Sequence, residues 1–164
     1  MEEINQNSQT SLDFNSEILK PNNEDDLQRI IKFCYKKDLP IEIIGAGTKK
    51  DIGRKLQCAK VLDMSNISGI VEYKPEELYI TVKAGTSINL VKEELKKNNQ
   101  HLAFEPINFS GIFNKNSNEG TVGGTLACNF SGPRRFKVGS ARDHILGFKG
   151  YNGKGEKIKS GGTV

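Results

Sequence analysis

Residues 41–50 read Ile41-Glu42-Ile43-Ile44-Gly45-Ala46-Gly47-Thr48-Lys49-Lys50, a short β-branched run that stops on a pair of glycines. The first half predicts a strand. The second half predicts a tight turn, because glycine reaches backbone conformations closed to other residues and lets a ligand approach the main chain. Successive amides in such a turn form an anion-binding nest, and a pyrophosphate is its natural guest. Two better-known phosphate loops do not fit. A Walker loop needs Gly-Lys followed by Ser or Thr. A dinucleotide fingerprint needs a third glycine opening a helix; here Lys50 stands in that place and the residues after it show no helical period. Alone, the loop also reads as a plain tight turn.

Working outward, Asn23 is placed to cap a helix, and Glu24, Asp25 and Asp26 sit where the helix dipole favours negative charge. Leu27, Ile30, Ile31 and Cys34 follow at helical spacing, so residues 24–37 are expected to form an amphipathic helix. Lys60–Met64, Ile70–Tyr73 and Leu78–Ala84 are expected strands, with a turn at Lys74-Pro75-Glu76-Glu77. Thr86 is the expected cap of a second helix, whose Ile88, Leu90, Val91 and Leu95 form an apolar face. A short helix is expected over Thr121–Asn129. Ile145–Tyr151 and Glu156–Ser160 are expected to pair as a hairpin around Asn152-Gly153-Lys154-Gly155. The polar, aperiodic segment 1–17 reads as a flexible tail, leaving 18–164 as the domain. The class is mixed α+β rather than a regular βαβ wind.

Composition narrows the partners. The net charge of +4 is uneven: residues 1–28 carry seven acidic groups and one basic, whereas residues 101–164 carry nine basic and four acidic. A basic half suggests an anionic ligand or partner. Its basic residues are scattered among glycines rather than interleaved with aromatics, which argues against nucleic acid. The three cysteines, Cys34, Cys58 and Cys128, and two histidines have neither zinc spacing nor a disulfide framework, so reduced thiols are expected and no metal. No apolar run approaches the ~20 residues of a membrane span, and residues 1–17 do not read as a signal peptide. The expected setting is cytoplasmic, or peripheral to a membrane through a partner.

Two further glycine-rich stretches repeat the anion theme. In Gly120-Thr121-Val122-Gly123-Gly124-Thr125 adjacent glycines let a flat ring or a phosphate lie against the backbone. In Ser131-Gly132-Pro133-Arg134-Arg135 and Gly139-Ser140-Ala141-Arg142-Asp143, arginines add fork-shaped donors for phosphate or carboxylate oxygens.

Taken in order, Gly45-Ala46-Gly47-Thr48, Phe104-Glu105-Pro106, Gly120–Thr125, Ser131–Arg135, Ala141-Arg142-Asp143 and Leu146-Gly147 resemble the vanillyl-alcohol oxidase / p-cresol methylhydroxylase (PCMH) class of FAD-binding domains. Within that class the chain is most similar to the FAD-binding subunit of bacterial glycolate oxidase. The resemblance covers roughly residues 18–164. It implies a PCMH-type domain of two small α/β subdomains, C-terminally truncated relative to the family and without its cap domain.

The resemblance also implies the site. Gly45, Ala46, Gly47, Thr48 and Lys49 would wrap the FAD pyrophosphate. Thr121, Val122, Gly123 and Gly124 would lie along the cofactor, and Asn129, Ser131, Gly132 and Gly139 would line the next stretch. Pro106 is a further lining residue, and Arg135 a candidate for reaching the flavin ring or a substrate carboxylate. Some family members attach FAD through a histidine just after the glycine loop. Thr48 holds that place here, and His101 and His144 lie elsewhere, so non-covalent FAD is expected. The implied function is hydride transfer from a 2-hydroxyacid such as glycolate to FAD, with electrons leaving through partner subunits that include an iron–sulfur protein. The resemblance would make a peripheral setting that of the inner membrane, through those partner subunits. No catalytic base is legible, and stand-alone activity is not expected. Two other readings are a non-catalytic FAD-binding or electron-relay subunit, and a basic module binding nucleic acid or an acidic partner.

Overall fold

A computed structural model describes residues 12–109 and 120–162. Three parallel strands, β1 (Ile18–Leu19), β2 (Ile41–Ile44) and β3 (Lys60–Asp63), form a sheet in the order β1-β3-β2. The helix α1 (Glu24–Lys36) carries the chain from one edge of this sheet to the other. It begins as the sequence predicts: the Asn23 side chain accepts the Asp26 amide at 2.8 Å, and Glu24, Asp25 and Asp26 fill the first turn. Its Ile30 and Cys34 meet Leu19 and Leu62 in the main core. This first layer is therefore a parallel βαβ crossover, a local exception to the expected mixed pattern.

The tail reading needs correction. Residues 1–11 lie outside the described residues, but 12–17 belong to the packed domain. Leu12 and Phe14 pack against the core, the Phe14 and Phe33 rings lie 4.7 Å apart, and Lys60 Nζ donates to the carbonyls of Phe14, Asn15 and Ser16. Two apolar residues within a polar run were enough to anchor it.

β4 (Ile70–Lys74) and β5 (Tyr79–Val82) pair antiparallel around a single 3₁₀ turn at Pro75–Glu77, with Leu78 in the left-handed region at φ 59°. The helix α2 (Ile88–Lys96) buries Ile88, Val91 and Leu95. Its cap is Ser87, whose hydroxyl accepts the Leu90 amide, and not the expected Thr86. Thr86 is fully buried and bonds both backbone groups of Gly69 instead, tying the turn before β4 to the entrance of α2.

The short helices α3 (Val122–Cys128) and α4 (Arg135–Val138) follow, then a 3₁₀ turn at Ala141–His144. The hairpin β6 (Gly147–Tyr151) with β7 (Lys157–Gly161) closes the fold. The Asn152 side chain organises its turn by accepting the amides of Lys154 and Glu156 at 3.0 Å. The turn returns to α1, where Gln28 donates to the Gly155 carbonyl at 2.9 Å. Among the described residues no helix is long and apolar enough to cross a membrane.

Candidate functional site: two interlocked glycine segments

The first glycine loop leaves the carboxyl end of β2, the end at which open parallel sheets bind ligands. Gly47 has φ 65° with open space where a side chain would stand, so glycine is required by backbone conformation alone. At Gly45 the reason is close approach: a Cβ there would overlap Thr121 Oγ1 and sit 2.9 Å from its Cγ2. Thr48 is buried, and its Oγ1 would lie 3.3 Å from a Cβ on Gly120. The two glycine segments thus lock together, Gly45 against Thr121 and Thr48 against Gly120.

The backbone hydrogen bonds separate their roles. Among the described residues, the amides of Gly45, Ala46 and Thr48 donate to no protein acceptor. In the second segment the amides are spent internally. Val122 donates to the Thr86 carbonyl and Gly123 to the Ala84 carbonyl, each at 2.8 Å; Gly124 donates to Thr121 Oγ1, and Thr125 to the Thr121 carbonyl. Gly123 is small because a Cβ would stand 2.9 Å from the Ala84 oxygen. The first loop therefore offers open donors, and the second supplies a thin wall locked to it. Open amides at a glycine turn suit an anionic group such as the FAD pyrophosphate.

The remaining expected site residues gather around Phe104-Glu105-Pro106. Pro106 and Ser131 form an isolated antiparallel bridge. Glu105 is the hub: its carbonyl accepts the Gly132 amide and its Oε2 the Arg134 amide, both at 3.0 Å. Ser131 Oγ accepts the Ala141 amide, and Asn129 Oδ1 the Arg142 amide. Asn129 and Gly139 take positive φ at the ends of α3 and α4. Arg135 lies over the exposed ring of Phe136 at 5.1 Å. His144 bonds the Val138 carbonyl and stacks against Phe104, a structural role. The Ser140 amide and hydroxyl hold the Asp143 carboxyl below the ordinary aspartate range.

The two groups are joined by α3 and by aromatic contacts. Lys49 Nζ lies 5.8 Å over the Phe109 ring, and Phe109 lies 5.6 Å from Phe130, next to Ser131. Sequence reasoning missed Phe109, Phe130, the Glu105 hub, and the Ala84-Gly85-Thr86 turn that receives α3. At Gly85 a Cβ would strike the Met64 and Ile67 carbonyls, so its glycine was the available signal. A cavity of about 280 Å³ lined by Leu12, Ser16, Lys20 and their neighbours includes none of the expected site residues. Among the described residues the cysteines are free, and no group of acidic, histidine or cysteine side chains could hold a metal.

Comparison with known proteins places this geometry. The FAD binding domain family matches residues 16–161. The glycolate oxidase subunit GlcE of Escherichia coli (strain K12) is 36% identical over 125 residues, covering 76% of this chain and 33% of that protein. The glycolate oxidase subunit GlcD of Bacillus subtilis (strain 168) is 27% identical over 149 residues, covering 90% of this chain and 30% of that protein. The chain therefore spans about a third of the length of these relatives. In fold it is similar to a BBE-like 1 protein of Physcomitrella patens, with a TM-score of 0.66 at 18% identity over 88% of this chain and 29% of that one. Fold and sequence agree with the expected PCMH-type class and its cofactor, FAD: the chain belongs to the FAD-binding domain family.

Proposed function

We propose that this chain holds FAD non-covalently and is the flavin-binding part of a 2-hydroxyacid dehydrogenase of the glycolate oxidase kind. The open amides of Gly45, Ala46 and Thr48 at the carboxyl end of β2 carry this reading. They receive the pyrophosphate, with Gly47 setting the turn and Lys49 closing it. Thr121, Val122, Gly123 and Gly124 form the wall along the cofactor, and Glu105 fixes Pro106, Ser131 and Gly132 beside it. Asn129 and Gly139 set the turns that return the chain to this wall. Thr48 stands where some family members carry the histidine that bonds the flavin, and its alcohol is a far weaker nucleophile than an imidazole, which supports a dissociable cofactor.

When bound, FAD would supply the hydride acceptor for oxidation of the hydroxyacid's carbinol carbon, the hydroxyl proton leaving to a base. The protein's part is position and electrostatics; the basic Arg134, Arg135 and Arg142 region suits an anionic substrate. The relatives are named as subunits of glycolate oxidase, which supports assembly with further oxidase subunits. By the family resemblance, the proposal extends to an iron–sulfur partner subunit that would take the electrons onward.

The test is purification with added FAD, acid precipitation, and anaerobic addition of glycolate in the presence of the partner subunits. The reading requires a yellow protein, flavin released into the acid supernatant, and bleaching by glycolate. A colourless protein overturns it. Flavin that never bleaches leaves only the electron-relay reading.

A further inference from the structure

We propose that the Lys49 side chain, and not only its backbone, is the cationic partner of the FAD pyrophosphate. This rests on the FAD-binding reading of the glycine loops given above. A pyrophosphate brought against a neutral loop keeps its negative charge poorly compensated, whereas one ammonium at the same place supplies a charge-assisted hydrogen bond.

Among the described residues Lys49 is the cation at the junction of the two glycine segments. Its Nζ would lie 3.4 Å from a Cβ on Gly120, so the ammonium stands against the second segment while its backbone belongs to the first. The Phe109 ring, 5.8 Å away, steadies the charge without neutralising it. The absence of a side chain on Gly120 leaves that space to the ammonium.

The adjacent cation is committed elsewhere. Lys50 Nζ pairs with Glu42 Oε2 at 3.2 Å. No carboxylate lies within ion-pair distance of Lys49 among the described residues. The two adjacent lysines thus divide the work: Lys50 staples the loop to β2, and Lys49 is left for the ligand.

The experiment titrates FAD, and in parallel riboflavin, which lacks phosphate, into the full chain by flavin fluorescence at several salt concentrations. Wild type is compared with Lys49→Met, Lys49→Arg and Lys50→Met, with thermal midpoints confirming folding. Lys49→Met is expected to weaken FAD at least about tenfold at low salt and to flatten its salt dependence. Its riboflavin affinity should be unchanged, and Lys49→Arg should retain most of the FAD affinity. FAD affinity of Lys49→Met within about twofold of wild type, or a loss with undiminished salt dependence, overturns the proposal while leaving FAD binding itself intact. Failure of the wild-type chain to take up FAD overturns the underlying reading as well.

Discussion

The Thr121 side chain occupies the space in which a side chain on Gly45 would stand. The same threonine caps α3 by accepting the Gly124 amide at 3.2 Å. One side chain thus sets both the start of α3 and the closeness of the two glycine segments. The first loop is held from behind while the amides of Gly45, Ala46 and Thr48 stay open, which is the arrangement a preformed anion site needs.

Gly45→Ala is expected to destabilise the protein by about 1–3 kcal/mol through overpacking and to lower FAD content. Thr121→Ala alone should cost about 1 kcal/mol through the lost cap. In the double variant the new methyl occupies the vacated space, so its loss should be smaller than the sum of the single losses. Urea denaturation of the four proteins measures the coupling. Strict additivity would mean that the two residues do not share this space.

Gly47→Ala separates conformation from packing. Nothing lies within 4 Å of a Cβ at Gly47 or at Gly53, yet both have positive φ, 65° and 93°. Each alanine variant should lose about 1–2 kcal/mol of stability from backbone strain. Only Gly47→Ala should also weaken FAD, because only its strain turns the amides of the first loop. Equal FAD affinities in the two variants would remove Gly47 from the site.

Glu105 acts as a hydrogen-bond acceptor more than as an ion-pair partner. Its contact with Arg134 Nε is long, 4.0 Å, and exposed on both sides, so charge contributes little. Its bond to the Arg134 amide is 3.0 Å. Glu105→Gln keeps an acceptor and should change stability by less than about 0.5 kcal/mol. Glu105→Ala should cost about 1–2 kcal/mol and loosen the 131–135 loop, seen as faster amide exchange at Arg134 and weaker flavin retention. Equal losses in both variants would point to the charge instead.

The legible parts of this fold were those written in local signals. The cap at Asn23, the strand at Ile41–Ile44 and the helix at Val122–Cys128 each follow from a few neighbouring residues. The glycines of the site were visible as glycines, but their reasons were not. Gly45, Gly85 and Gly123 answer to Thr121, Met64 and Ala84, partners set by tertiary packing. The displaced cap has the same origin: Thr86 and Ser87 are equivalent caps by type, and only the distant Gly69 backbone decides between them. The open and occupied amides could be told apart only once the hydrogen bonds were known.

Asp63 gives the site a dependence on acid. It ends β3, is paired in register with Ile44, and so supports the strand from which the first glycine loop departs. Its side chain is only 19% exposed and meets Lys20 Nζ at 3.3 Å. Burial pushes the carboxyl up, but the Ser65 amide and hydroxyl and the Lys20 ammonium together pull it further down, leaving it below the ordinary aspartate range. A folded value below the unfolded one means that the native state favours the ionised carboxylate. Asp63 therefore contributes stability above the ordinary value of about 3.9, and that contribution is lost as pH falls through the lower, folded value. Asp143 is held low in the same way, so acid destabilisation of wild type is not due to Asp63 alone. The difference between wild type and Asp63→Asn isolates it. The variant should be less stable above the ordinary aspartate value of about 3.9 and converge on wild type as pH falls below it, in urea midpoints measured on both sides of that value. FAD retention should follow the same curve, because weakening β3 weakens the strand that carries Gly45. A stability gap between the two proteins that stays constant with pH would show that Asp63 acts through its shape and not its charge.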